Sequence, residues 1–122
     1  MVRLAQDMTN QAVANTAWSF ATLKLKPGAE TWAALEAAVV RVGPDMNAQA
    51  VANIAWSFAT LGLMPGKDAW AALEVALVRE GPGMTAEAVS NITWSFEKLG
   101  LMPGPEARAA LEVALVRVGP YY

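Results

Sequence analysis

The chain has 122 residues, 55% hydrophobic and 16% charged, with a formal net charge of −2. That length makes one small domain able to bury a core, and the apolar share, above that of ordinary soluble domains, asks for elements buried on more than one side. The charge balance gives no pull toward phosphate, and a chain with neither cysteine nor histidine has no disulfide framework, no thiolate metal site and none of the usual acid–base or thiol chemistry.

A 38-residue period governs the whole chain. Trp18, Trp56 and Trp94 recur at that spacing, as do Asn15/Asn53/Asn91, Ser19/Ser57/Ser95, Pro27/Pro65/Pro103, Leu35/Leu73/Leu111 and Gly43/Gly81/Gly119. Such self-similarity marks a solenoid, in which each unit buries its apolar surface mainly against its neighbours. The expected fold is all-α, an α-solenoid of about three 38-residue helix-turn-helix repeats wound as a right-handed superhelix. Residues 1–7 read as the tail of a preceding repeat in a longer array, because Val2-Arg3-Leu4 falls one period before Val40-Arg41-Val42. Repeat one then covers 8–45, repeat two 46–83 and repeat three 84–122. Among these residues there is no targeting segment, and no apolar run long enough for a membrane helix.

In each repeat the pattern predicts a first helix, over 11–25, 49–63 and 87–101. Thr9, Asn47 and Thr85 stand before these runs as N-caps. Gly62 and Gly100 suit a left-handed C-terminal residue, and Lys24 occupies that place in repeat one. The prolines at 27, 65 and 103 forbid continuation. The second helix is predicted over 29–42, 67–80 and 105–118. Glu30, Asp68 and Glu106 sit in its first turn and Arg41, Arg79 and Arg117 in its last, as the helix dipole favours. Gly43-Pro44, Gly81-Pro82 and Gly119-Pro120 are expected to stop it. In the last repeat Arg108 stands where Trp32 and Trp70 did, and Glu97-Lys98 where Ala21-Thr22 and Ala59-Thr60 did. Charged residues there are what a C-terminal capping repeat requires; ordinary divergence between copies is the alternative.

At about 100° per residue, Val13, Thr16, Ala17, Phe20 and Leu23 fill one broad arc of the first helix, and Ala14, Trp18, Ala21 and Leu25 extend it. What remains is a narrow polar stripe. Stacking the repeats aligns Gln11/Gln49/Glu87, Asn15/Asn53/Asn91, Ser19/Ser57/Ser95 and Thr22/Thr60/Lys98 into a ladder of hydrogen-bonding side chains. Amide and hydroxyl ladders suit reading base edges or the backbone of an extended polymer. The asparagines serve equally well to satisfy loop carbonyls of the next repeat, and the serines suit close packing. The tryptophans are expected in the core rather than stacked on bases. On the second helix Thr31, Trp32, Leu35, Ala38, Val39 and Val42 make the buried stripe, leaving Ala33, Glu36, Ala37 and Arg41 outward on a bland surface. With scattered carboxylates and no Gly-rich phosphate loop, no enzyme, cofactor or metal is expected. Because repeat one lacks a preceding partner, Val13, Ala17 and their neighbours should be partly uncovered, which predicts self-association or marginal stability.

The run Gln-Ala-Val-Ala-Asn-Ile-Ala-Trp-Ser-Phe-Ala-Thr-Leu-Gly-Leu (49–63), with Met-Pro-Gly after it and Ala-Trp-Ala-Ala-Leu-Glu at 69–74, resembles the octotricopeptide repeat. That 38-residue, two-helix unit is found in organelle RNA-processing factors, and is similar to the leucine-rich repeats of mitochondrial proteins related to the FAST kinases. The family's proline-rich turn is partly kept, as Met64-Pro65-Gly66-Lys67-Asp68-Ala69-Trp70, and no RAP-type domain is present. The resemblance implies single-stranded RNA as partner, location in the mitochondrion or chloroplast, a role in transcript stability, processing or translation, and base-facing residues on the first helices. Another protein as partner, bound by the same architecture, is the alternative.

Overall fold

The structure, a computed structural model, describes residues 9–118. Among them are six α-helices of 14 residues each and no strand: α1 (Asn10–Leu23), α2 (Ala29–Val42), α3 (Ala48–Leu61), α4 (Lys67–Glu80), α5 (Ala86–Leu99) and α6 (Pro105–Val118). None is long and apolar enough to cross a membrane. The expected tail 1–7 and the Gly119–Pro120 stop lie outside the described residues.

Local chemistry sets the ends of α1, α3 and α5. The side-chain oxygens of Thr9, Asn47 and Thr85 accept from the N–H groups of Ala12, Ala50 and Ala88 at 3.2, 2.8 and 3.1 Å, satisfying donors the first turn leaves orphaned. At the other end the chain turns left-handed at Lys24 (φ 57°), Gly62 and Gly100 (both φ 68°). There the N–H groups of residues 24, 62 and 100 reach the carbonyls of Ala21, Ala59 and Glu97, and those of Leu25, Leu63 and Leu101 reach Phe20, Phe58 and Phe96. This doubly bonded cap ends each helix two residues earlier than the apolar periodicity predicts.

The glycines after α2 and α4 do something else. Gly43 and Gly81 keep right-handed helical backbone (φ −46° and −50°), and the chain runs on through the 3₁₀ turns Gly43–Asp45 and Gly81–Gly83. The α-helices end before them as expected, at Val42 and Glu80, but without a left-handed cap. A Cβ at Gly43 would lie 3.2 Å from the Cβ of Ala72, and one at Gly81 only 2.8 Å from the Cβ of Ala110. The glycines let each turn press against the next second helix.

The helices form two layers. α1 packs on α3 and α3 on α5; α2 packs on α4 and α4 on α6; each first helix also packs on the second helix that follows it. One apolar core runs through all three pairs, including Val13, Val39, Met46, Val51, Ile54, Phe58, Leu73, Leu77, Met84, Val89, Ile92, Phe96 and Leu111. Between pairs, Trp32 meets Phe58 edge-on at 4.6 Å and Trp70 meets Phe96 at 5.1 Å. Such edge contacts add about 0.5–1.5 kcal/mol beyond burial. At the matching place on α6, Arg108 is exposed.

Two polar links recur at each junction. The Glu36 carboxylate accepts from the backbone N–H of Gly66 (2.6 Å) and Glu74 from that of Gly104 (2.9 Å), so each second helix caps the start of the next. In the reverse direction Arg79 donates to the Gly43 and Met46 carbonyls, and Arg117 to those of Pro82 (3.0 Å) and Met84. The outward surface expected to be bland thus carries, in Glu36, one half of a clasp.

Burial sorts the flanks of the first helices. Ala14 and Ala21 of α1 and Ala52 and Ala59 of α3 are buried, whereas Ser90 and Glu97 at the same places in α5 are exposed; these positions face the following pair. Leu23 is 66% exposed while Leu61 is 7% exposed, so that position faces the preceding pair. The expectation that Val13 and Ala17 are uncovered is therefore corrected. Both are buried, because Val13 points into the core and Ala17 lies on the flank toward α3. The residues exposed on α1 whose counterparts on α3 are buried are Ser19 and Leu23.

Candidate functional site

Positions 11, 15, 18 and 22 are spaced i, i+4, i+7 and i+11, which places all four on one helical face. On α1 these are Gln11, Asn15, Trp18 and Thr22, all exposed. On α3 they are Gln49, exposed, and Asn53, Trp56 and Thr60, half-buried; on α5 they are Glu87, Trp94 and Lys98, exposed, with Asn91 half-buried. Because α1, α3 and α5 pack side by side, the three stripes lie next to one another as one surface of twelve side chains.

That surface differs from the expected ladder in one row. Ser57 is 0% exposed and Ser95 1%, and their hydroxyls donate back to the carbonyls of Asn53 and Asn91, both at 2.6 Å. Ser19 makes the same bond to Asn15 and is open only because its flank is uncovered in α1. The serine row is turned toward the preceding pair and does not belong to the open face. At about 100° per residue, position 19 lies roughly 80° from position 11 and position 18 only about 20° from it.

Tryptophan takes that place. Trp18 is 46% exposed and Trp94 43%, against the expectation that these rings fill the core. Ranking residues by hydrophobicity buries tryptophan; its spacing from Gln11, Asn15 and Thr22 would have placed it on the surface. Trp18 and Trp56 are neighbours across the first junction, with ring centroids 6.5 Å apart and planes inclined by 30°.

The amides flank the rings. Gln49 Nε2 donates to Asn53 Oδ1 at 2.9 Å, which leaves Gln49 Oε1 as an acceptor and Asn53 Nδ2 as a donor. Among the described residues no Asn15, Asn53 or Asn91 side chain bonds to a loop carbonyl of a neighbouring pair, so the structural role weighed for the asparagines has no such bond here. One turn beyond Trp56, Thr60 Oγ1 is enclosed and without a hydrogen-bond partner. In the third pair Glu87 and Lys98 replace the amide and hydroxyl ends of the stripe with opposite charges.

The opposite side of the molecule has another character. Val40, Val75, Val113 and Val116 are exposed on the second helices, and a shallow groove of about 450 Å³ lies between α2 and α4, lined by Val40, Pro44, Ala71, Val75 and Arg79. Among the described residues no group of three or more acidic side chains could hold a metal ion. No protein-family model, no curated protein and no solved structure matches the chain.

Proposed function

We propose that this chain is an α-solenoid of three 38-residue repeats, wound as a right-handed superhelix, that binds single-stranded RNA along its first helices. The layered order of the helix pairs supports the solenoid: each pair meets its sequence neighbours through the same Glu and Arg links and the same aromatic contacts. The observation that carries the RNA reading is the row of three tryptophans on the open face, bordered by amides. Exposed aromatic rings give bases a stacking platform worth about 1–3 kcal/mol each, and amides read base edges splayed out from a single strand. By the resemblance of residues 49–74 to the octotricopeptide repeat, the RNA is an organelle transcript in the mitochondrion or chloroplast, handled for stability, processing or translation.

Fluorescence anisotropy with the four homopolymeric RNAs at low salt tests this. Three repeats with a net charge of −2 bind through stacking more than through phosphate. The expected result is micromolar or weaker binding to at least one homopolymer, with a base preference relaxed in Gln49→Ala/Asn53→Ala. No binding to any of the four by protein that is helical by circular dichroism would overturn the reading. The second reading, a protein-binding solenoid, is favoured by the exposed valines of the second helices; it predicts a partner seated on the side opposite the tryptophans.

A further inference from the structure

The two junctions between helix pairs are built alike. Toward the first pair, the second offers Phe58, which meets Trp32, the buried Leu61, and the Gly66 N–H, which donates to Glu36. The next junction repeats this with Phe96 and Trp70 and with Gly104 and Glu74. On the first pair the corresponding side is bare. Leu23 is 66% exposed where Leu61 is 7% exposed, and Phe20 is half-buried where Phe58 and Phe96 are buried. A Cβ on Gly28 would meet nothing within 4 Å, whereas one on Gly66 would lie 3.0 Å from the Glu36 carboxylate.

The third pair is bare on the complementary side. Glu112 stands where Glu36 and Glu74 stand, and it is exposed and without a partner among the described residues. Glu97, also exposed, replaces the buried Ala21 and Ala59. At the first end the departures from the repeat have the opposite sign. Lys24 and Lys26, in the turn before Gly28, stand where the other pairs carry Gly62 and Gly100, and Met64 and Met102. Arg108, in the place of Trp32 and Trp70, is a cation on the acidic end. It holds the position whose counterparts meet a phenylalanine of the next pair, and a guanidinium over an aromatic face is a favourable contact.

We propose that copies of this chain associate head to tail, the third pair of one seated on the first pair of the next. The contact continues the two junctions already present. Glu112 accepts from the Gly28 N–H, Arg108 covers Phe20, Leu23 is enclosed, and the carboxylates of one end face the lysines of the other. Unlike surfaces meet, so the contact does not close on itself and repeats from copy to copy. The proposal stands whether or not the tryptophan face binds RNA; joined copies lengthen that face.

Sedimentation equilibrium of the full chain at low salt tests this, with circular dichroism as the folding control. The weight-average mass of wild type should climb past twice the 12.9 kDa of one chain between roughly 10 μM and 1 mM, the span of a weak contact. Leu23→Glu blocks the first end and Glu112→Lys the last; both residues are exposed, so neither change removes core packing. Each variant alone should associate at least about tenfold more weakly, and mixing the two should restore a one-to-one dimer that grows no further. Wild type that stays monomeric throughout overturns the proposal, as does a mixture that stays monomeric. Association abolished by Leu23→Glu but untouched by Glu112→Lys also overturns it, because two first ends would then be meeting each other.

Discussion

Lys24 holds a left-handed backbone (φ 57°, ψ 36°) that Gly62 and Gly100 adopt in the other two repeats. For a residue with a Cβ that conformation costs about 1–2 kcal/mol, and Lys24 is exposed, so Lys24→Gly should raise stability by about 1 kcal/mol. Thermal unfolding should then move up by roughly 3–5 °C; an unchanged or lower midpoint would contradict this account of the cap. Ser57 offers a second test at this scale. Its hydroxyl is buried and spent on the Asn53 carbonyl, so Ser57→Ala should leave RNA affinity within about twofold of wild type, whereas Asn53→Ala should lower it. The left-handed glycines were legible in the sequence because a helix-ending glycine before proline has a local meaning. The orientation of the serine row was not. Asn, Ser and Thr look alike as polar residues, and only the burial of Ser57 against α1 separates them.

The helices themselves were legible because each carries its own signals: a capping oxygen before α1, α3 and α5, an acidic first turn and a basic last turn on α2, α4 and α6, and a proline beyond each in the sequence. What joins one helix pair to the next was hidden, since those partners are 30 to 36 residues apart in sequence. Glu36 and Glu74 read as solvated charges until Gly66 and Gly104 are placed beside them. Glu74→Ala should leave the Gly104 N–H without its carboxylate and cost about 1–3 kcal/mol, read as a lower urea midpoint with unchanged m-value. Gly81→Ala tests the close approach of the turn to α6. Its Cβ would sit 2.8 Å from that of Ala110, and the backbone must shift to admit it, at about 1–3 kcal/mol. Equal stability of Gly81→Ala and wild type would mean that this glycine serves some other purpose.

At the scale of the whole molecule, the period implied neighbours stacked in order, and the helix pairs pack in that order. The polar stripe of the first helices was the surface expected to stay open, and its rows 11, 15 and 22 lie on the open face, while the serine row turns inward and the tryptophans come outward. That exchange turns on tryptophan, whose large apolar area argues for the interior while its helical position puts it outside. Seen whole, the protein has a polar and aromatic side on α1, α3 and α5 and an aliphatic side on α2, α4 and α6. With Lys98 the one basic side chain on the twelve-residue face, RNA affinity should depend weakly on salt. The log–log slope is expected near −1, since each phosphate contact contributes about −0.7; a slope steeper than about −3 would mean that basic residues elsewhere do the binding.

Chemical-shift mapping of the isotopically labelled chain against single-stranded RNA tests the central claim most directly, because it reports where the strand lies and not only that it binds. The account predicts shifts at the Trp18, Trp56 and Trp94 indole N–H groups and at the Gln11, Asn15, Gln49 and Asn53 side-chain amides, with Val40, Val75 and Val113 silent. Shifts confined to the valine side, or none at RNA concentrations well above the protein's, would contradict it.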